Sequence, residues 1–284
     1  MFVQRISALA GGLVLLAGGL TGGSAQAAVS ESTSSSGMVA VSITAAHNVV
    51  MPATIQPGVN QFRVTTEAKS SGFQLVQLAA GYTLDQAIDD IDNGLEKGKM
   101  KAFKRFEANT TLLGGAYLSE GKIGKVTVNL APGSYYAADI ERNRPSAFTA
   151  FTVAGADTGA TMPEGSTIRA VKDASWAKNP KSIARRGMLT FENFSSSNHF
   201  VGLTKLKRGK TVQDFGDWLK SQAGPPPVNF GASFDSGLVS GGQTVAMNYN
   251  LPRGNYVLVC FWPDADMGGM PHAFMGMYRG IKLK

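Results

Sequence analysis

Reactive sulfur and imidazole are scarce in this chain of 284 residues, which has one cysteine, Cys260, and three histidines. A single cysteine excludes an internal disulfide, so no disulfide framework holds the fold together. In an exported protein, a leftover thiol pairs with a second molecule, lies buried and inert, or reacts or binds a metal. The role of Cys260 therefore has to be decided from the rest of the chain.

Long apolar runs are also missing. The longest, residues 6–20, is shorter and richer in glycine than a membrane-spanning helix. Small residues follow it, and we predict a signal peptide over residues 1–27, cleaved after Ala27. Residues 28–37 are rich in serine and are predicted to form a tether. The expectation is a secreted protein with no transmembrane segment in the mature chain.

Acidic residues are outnumbered, because 20 Asp and Glu stand against 27 Lys and Arg, for a formal net charge of +7 at pH 7. A basic exported protein can hold to an anionic polymer of the cell envelope, although a solvated surface that favours solubility is the simpler explanation. No segment resembles a nucleic-acid-binding module, and export argues against that role. We expect no nucleic acid partner, and nothing in the sequence indicates an oligomeric state.

Sequence signatures of common enzymes are missing too. The chain has no G-x-S-x-G, no H-E-x-x-H and no pair of acidic residues with assignable roles. The sequence therefore predicts a protein that is not an enzyme.

Short strands dominate what the chain does contain. Segments that alternate in polarity, or are rich in β-branched and aromatic residues, are separated by turns that use many of the 34 glycines and 12 prolines. This spacing is typical of a β-sandwich. We predict an all-β protein of two tandem Greek-key β-sandwich domains, each with a short inserted helix.

The prediction of two domains comes from an internal repeat. Residues 73–91 parallel residues 200–219, since each segment reads as a strand, a glycine and a helix that begins at a threonine. Residues 126–140 parallel residues 245–261 in the same way, as a strand, a proline-containing turn and a tyrosine-led strand.

The predicted boundaries follow from this repeat and from a small, polar, turn-rich stretch between the copies. We place the first domain at residues 38–155, the linker at 156–164 and the second domain at 165–284.

The second copy carries unusual residues where the first does not. Cys260 falls at the position of Asp139, and His199 falls at a Ser-Gly stretch around Ser71. The segment PHAFMGM of the second copy aligns with PSAFTAF of the first. The fold does not require the residues that only the second copy has, which points to a function for His199, Cys260, His272 and Met277.

These four residue types together match a known copper chemistry. A thiolate, two imidazoles and a weak axial thioether form the trigonal site of blue copper proteins, in which copper cycles between Cu(I) and Cu(II). The predicted cofactor is therefore copper. The predicted ligands are His199, Cys260 and His272, with Met277 as the weak axial ligand.

Two segments of the second copy resemble cupredoxins, especially pseudoazurin and halocyanin-like blue copper proteins. The segment YVLVC, followed by PHAFMGMYRGIKL, resembles their C-terminal ligand loop, and MLTFENFSSSNHF resembles their strand with the first histidine ligand. The resemblance implies a cupredoxin-like domain at residues 165–284 and a degenerate copy of that scaffold, without metal ligands, at 38–155. It also implies one-electron transfer with a redox protein partner.

Two other functions stay open. Met267, Met270 and Met275 lie in the same loop, and thioethers select Cu(I), so the protein could be an extracytoplasmic Cu(I) carrier or buffer. Tandem sandwiches behind a tether also serve as adhesion or cell-wall interaction domains without metal, because a fold does not by itself imply a function. His47 is not expected to bind metal, since it lies in the copy without a cysteine.

Overall fold

A computed structural model describes residues 37–284. The predicted signal peptide and all of the predicted tether except Gly37 lie outside the described residues. Within the described part, none of the helices combines the length and the apolar character that crossing a membrane requires.

Within residues 37–153, the first half of the chain contains nine strands and two α-helices. The strands are β1 (Met38–Ile43), β2 (Val49–Val50), β3 (Thr54–Ile55), β4 (Gly58–Thr66), β5 (Ser70–Leu78), β6 (Thr110–Ser119), β7 (Gly124–Leu130), β8 (Gly133–Asp139) and β9 (Phe148–Val153). The helices are α1 (Leu84–Ile91), a π-helical segment (Asp92–Glu96), α2 (Met100–Asn109) and a short 3-10 turn (Pro145–Ala147).

The second half contains eleven strands and one α-helix within residues 166–284. The strands are β10 (Ser166–Lys172), β11 (Ser175–Trp176), β12 (Ser182–Ile183), β13 (Arg186–Asn193), β14 (Gly202–Leu206), β15 (Val228–Asp235), β16 (Thr244–Asn250), β17 (Gly254–Val259), β18 (Pro263–Asp264), β19 (Met270–Pro271) and β20 (Tyr278–Leu283). The helix is α3 (Val212–Ser221).

The strands form sandwiches, as predicted. The first half contributes a five-stranded sheet of order β3-β9-β8-β5-β6. The second half contributes a five-stranded sheet of order β12-β20-β17-β14-β15, in which the equivalent strands follow one another in the same sequence. Both pack against one eight-stranded sheet of order β11-β10-β13-β16-β7-β4-β1-β2. The rings of Phe62 and Phe73, one from each layer of the first half, lie 5.9 Å apart. The all-β prediction is confirmed.

One strand pair joins the two halves. β16 of the second half lies antiparallel to β7 of the first, with Val245 opposite Val128 and Met247 opposite Val126. All four side chains are buried, so the join is part of the core rather than a surface contact. The boundary predicted at residues 156–164 stays a prediction, because one sheet runs through both halves.

Alternating burial explains why these segments form strands. In β1, Val39, Val41 and Ile43 are buried while the residues between them are exposed, which is the two-residue period of a sheet with one wet face. In β5, β14 and β17 burial is nearly continuous. Each of those strands has a neighbouring strand on both sides within its sheet.

The helices differ from the prediction of one per half. The second half has only α3, whose first turn is closed by hydrogen bonds between Thr211 and Asp214. The first half has α1 and, beyond the π-helical segment, also α2. The lysines and arginines of α2 gave its sequence the look of a basic surface cluster, but Ala102, Phe103 and Phe106 form a buried face at helical spacing.

A pair of equivalent tyrosine hydrogen bonds tests the alignment of the two copies. Tyr135 donates a hydrogen bond from its hydroxyl to the carbonyl of Ala131 at 2.8 Å. Tyr256 makes the equivalent bond to the carbonyl of Pro252 at 2.7 Å. Four residues on from each tyrosine, the sequence reaches Asp139 in the first half and Cys260 in the second, so these two positions correspond as the sequence predicted.

The alignment of the last segments was wrong. Tyr135 pairs with Phe151 in the first half, and Tyr256 pairs with Ile281 in the second, so Met277 corresponds to Ala147 and not to Phe151. Eight residues separate Asp139 from β9, whereas seventeen separate Cys260 from β20. The second half therefore has a longer loop at this point, which the similarity of PHAFMGM and PSAFTAF concealed.

In the first half, the position that corresponds to Cys260 is filled by a residue that forms hydrogen bonds and is not a soft metal ligand. Asp139 is fully buried, and one of its oxygens lies 2.7 Å from Nδ1 of His47. The other oxygen accepts hydrogen bonds from the backbone N–H groups of Gly72 at 2.7 Å and Glu141 at 3.1 Å. Nδ1 of His47 is thus engaged by a carboxylate.

The Asp139→Ala variant should be less stable than the parent by about 3 kcal/mol, because buried donors lose a charged acceptor. Urea denaturation followed by circular dichroism measures this free energy of unfolding. Asp89→Ala, at an exposed position of α1, is the control and should change stability by less than about 0.5 kcal/mol. Equal stabilities of the two variants would contradict a structural role for the buried carboxylate.

Candidate metal centre

Three of the four predicted ligands meet in the interior of the second half. The ligand atoms of His199, Cys260 and His272 all lie within 4.8 Å of one another. The sulfur of Cys260 is 3.8 Å from Nδ1 of each histidine. His199 and Cys260 are 0% exposed and His272 is 1% exposed, so the cluster is shielded from water.

Each of the three residues is fixed by backbone hydrogen bonds of its own segment. His199 exchanges two bonds with Val239, of 3.0 Å and 2.8 Å. Cys260 follows β17 and donates its N–H to the carbonyl of Met277 at 3.3 Å. His272 donates its N–H to the carbonyl of Trp262 at 2.9 Å. Three separate stretches of chain therefore hold the cluster, and none of them ends freely at it.

A small hairpin explains how a long interval can still bring Cys260 and His272 together. Eleven residues lie between them, and strands β18 and β19 pair within this interval, with Pro263 opposite Pro271. The turn between the strands uses Gly268 and Gly269 at φ of 67° and 84°, a backbone region that favours glycine. The chain runs outward along one strand and returns along the other.

Burial sets the protonation of the cluster. Desolvation, and then repulsion from His272, lowers the pKa of His199 to about 3. Desolvation also lowers the pKa of His272 and raises the pKa of the Cys260 thiol to about 12. Without metal, the cluster at neutral pH consists of a thiol and two uncharged imidazoles, and a bound cation would supply the charge that makes a thiolate favourable.

The distances fit a trigonal metal site. A first-row metal bonded at about 2.0 Å to imidazole and about 2.3 Å to thiolate, with about 120° between the bonds, places these donors about 3.7 Å apart. The two sulfur–nitrogen distances are both 3.8 Å. No hydrogen bond in the described part of the chain engages Nε2 of His199 or of His272, although both atoms are buried. The donors are those that copper prefers in a thiolate–imidazole site.

The fold is a β-sandwich, and the donor set is one thiol and two imidazoles.

Comparisons with known proteins found likeness only among solved structures, since no protein-family model and no curated protein matches the chain. Reduced auracyanin from Roseiflexus castenholzii is 15% identical over 42% of this chain and 94% of its own, with a TM-score of 0.27. Auracyanin A, described as a "blue" copper protein from Chloroflexus aurantiacus, is 16% identical over 42% of this chain and 96% of its own, with a TM-score of 0.26.

A third structure, Lac15 from a marine microbial metagenome, is 12% identical over 78% of this chain and 61% of its own, with a TM-score of 0.27. Scores this low carry no argument about function. The function of this chain therefore has to be inferred from the geometry and chemistry of the site itself.

Met277 lies beside the cluster through its backbone. Its carbonyl accepts hydrogen bonds from the N–H of Cys260 and, at 3.1 Å, from the indole nitrogen of Trp176. Its N–H donates to the carbonyl of His272 at 2.9 Å, and its side chain is fully buried. The role of Met277 as an axial ligand stays a prediction.

The first half of the chain braces the three-residue cluster through one carboxylate. Glu107 of α2 accepts hydrogen bonds from the indole nitrogen of Trp262 at 2.8 Å and from the side-chain amide of Asn198 at 3.1 Å. Asn198 precedes His199, and Trp262 holds the backbone of His272. One oxygen atom from the first half therefore ties two ligand-bearing segments together.

The strand-like segment that pairs with His199 is also held by the first half. Ser240 donates to the side chain of Asn198 at 2.6 Å and accepts from the N–H of Leu112 at 2.9 Å. Gln74 bonds both the N–H and the carbonyl of Leu238, at 2.8 Å and 3.0 Å. The half without ligands thus positions the half that has them.

Sequence reasoning missed Glu107 and Gln74. A glutamate on a basic helix and a glutamine in a strand look like ordinary surface residues, and no local pattern marks their partners, which lie 91 to 164 residues away. Of the three loop methionines, Met267 and Met270 are 53% and 43% exposed, whereas Met275 is partly buried and packs against the core.

The Glu107→Leu variant should lose about 2 kcal/mol of stability, because the buried N–H groups of Trp262 and Asn198 lose their acceptor. Glu107→Gln keeps a carbonyl oxygen at this position and should stay within about 0.5 kcal/mol of the parent. Thermal unfolding of both metal-free variants measures the difference. A glutamine variant as unstable as the leucine variant would show that these hydrogen bonds do not brace the site.

Copper binding should release one proton per ion between pH 7 and 9. The raised pKa of Cys260 keeps the thiol protonated in this range, whereas the lowered pKa values leave both histidines uncharged, so only the thiol has a proton to lose. Apparent affinity should rise about tenfold per pH unit. Calorimetric titration in buffers of different ionisation enthalpy counts the protons.

Cys260→Ser is the control for this measurement and should show almost no proton release on binding. An affinity of the parent protein that does not change with pH would contradict coordination by the thiolate.

Proposed function

We propose that this protein is a secreted copper protein that transfers single electrons through a centre formed by His199, Cys260 and His272, with Met277 as the axial ligand. The observation that carries the proposal is the equal 3.8 Å spacing of the Cys260 sulfur from Nδ1 of both histidines. When bound, copper supplies a one-electron Cu(I)/Cu(II) couple at potentials set by its ligands.

The residues around the centre favour electron transfer over chemistry on a substrate. Burial of all three donors leaves water and small molecules little room to reach a metal held between them. Backbone hydrogen bonds fix each donor, and Glu107 ties two of the segments, so the geometry should change little between oxidation states. We therefore propose an electron carrier that is not an enzyme.

Its partners are proposed on the same basis. An electron carrier needs a redox protein that gives or takes the electron, and the basic surface of this chain favours an acidic partner or an anionic envelope polymer. We propose no nucleic acid partner.

The Cu(II)-loaded protein should absorb strongly in the visible, because charge transfer from a bonded thiolate gives this absorption. Cys260→Ser should abolish the colour, and His199→Ala and His272→Ala should each weaken Cu(II) binding severely. Met277→Leu should keep the colour and raise the reduction potential, since a weak donor to Cu(II) is lost. Met267→Leu, at an exposed thioether, is the matched control and should leave the spectrum and the potential unchanged.

A second candidate function is Cu(I) carriage. Met267 and Met270 are exposed on the outer hairpin, and the thioether of Met100 from α2 approaches Gly269 of the same hairpin. A colourless Cu(II) protein, with Cu(I) affinity that survives Cys260→Ser but falls when Met267, Met270 and Met275 are changed to leucine, would favour the carrier. Competition against a Cu(I) chelator measures that affinity. A protein that binds neither ion would favour the adhesion or cell-wall interaction module.

A further inference from the structure

An apolar cavity lies beneath α1 and is not used by the proposed copper centre. Its volume is about 350 Å³. It is bounded by α1 and the π-helical segment on one side and by β5 and β8 of the first half on the other, and it is lined mainly by hydrocarbon side chains. These include Leu78, Leu84, Ile88, Ile91, Tyr136 and Phe148.

The cavity reaches the second half of the chain. Its lining includes Phe200, which follows His199, and Trp262, which is two residues beyond Cys260. Leu238 completes this end, and its backbone is held by Gln74. A molecule in the cavity would touch both halves at the place where they are already joined by hydrogen bonds.

Polar anchors hold α1 in place while the cavity stays open. Asp90 is buried at the last turn of α1, where Arg105 of α2 donates to both of its oxygens and the hydroxyl of Tyr82 donates at 3.0 Å. Asp92, just beyond α1, accepts a hydrogen bond from Asn143 at 2.5 Å. These polar contacts set the position of α1. The helix therefore does not need to pack against the sheet to stay in place, and the cavity below it can stay open.

Such a cavity is unusual in a protein interior. Cores are packed with few voids larger than a water molecule, and an open apolar void reduces stability. An apolar cavity of about 150 Å³ is already enough to hold benzene. The cavity below α1 is larger than that and falls in the range of about 300–1,000 Å³ that is typical of small-molecule sites.

The charges at the cavity select against an anion. Asp92, Glu96 and Glu141 contribute to its lining, and Arg142 is the one basic residue that does so within the described chain. Tyr117 and Tyr136 also line the cavity, and a phenol hydroxyl can hydrogen-bond to a ligand that carries no charge. We propose that this cavity binds an uncharged, predominantly apolar small molecule, in a site that does not require copper.

The test is a titration of the metal-free protein, lacking only the predicted signal peptide, with the uncharged fluorescent probe N-phenyl-1-naphthylamine. Saturable binding at one site per chain is expected. The anionic probe 1-anilinonaphthalene-8-sulfonate should bind at least tenfold more weakly because of the carboxylates. Ile88→Glu places a charge in the cavity and should weaken binding of the uncharged probe at least tenfold. The control is Val50→Glu, because Val50 is 49% exposed and does not line the cavity, and this variant should bind the probe as the parent does.

Leu84→Trp provides a second variant that adds no charge and fills the cavity, and it should reduce binding in the same way. Thermal unfolding of each variant shows that the fold is retained. Binding that does not saturate, or that is equal in the parent, Ile88→Glu and Leu84→Trp proteins, would overturn the proposal. Because the protein is free of metal, the result is independent of whether the copper centre functions as proposed.

Discussion

The structure depends on keeping a thiol and two imidazoles together in a dry interior. Burial makes all three groups uncharged and leaves both Nε2 atoms without a hydrogen-bond partner in the described chain. Buried polar groups in this state are costly, so a fold does not place three of them together without a compensating gain. The gain here is a donor set with the spacing of a trigonal metal site.

Holding that set requires more than one sandwich. The ligand-bearing segments of the second half are loops at the ends of strands, and the first half ties them through Glu107, Gln74 and the backbone at Leu112. The shared sheet, in which β7 pairs with β16, sets the distance between these residues of the first half and the metal ligands of the second half. A half without metal ligands can therefore be needed for the geometry of the half that has them.

The two halves place different residues, with different partners, at the same position of the fold. Asp139 is satisfied within the first half by His47 and two backbone N–H groups, so that position is closed to further ligands. Cys260 instead places its sulfur 3.8 Å from Nδ1 of two imidazoles. The longer loop after Cys260 supplies His272, and its hairpin packs against α2, where Lys104 pairs with Asp266.

The sequence by itself determined the strands, the sandwich class and three residues of the site, because alternating burial and rare residue types are visible in local order. The hairpin that returns His272 to Cys260, the brace at Glu107 and the cavity below α1 were decided only by the tertiary structure. Each depends on contacts between segments far apart in the chain, and a glutamate on a helix looks the same in sequence whether it faces water or two buried N–H groups.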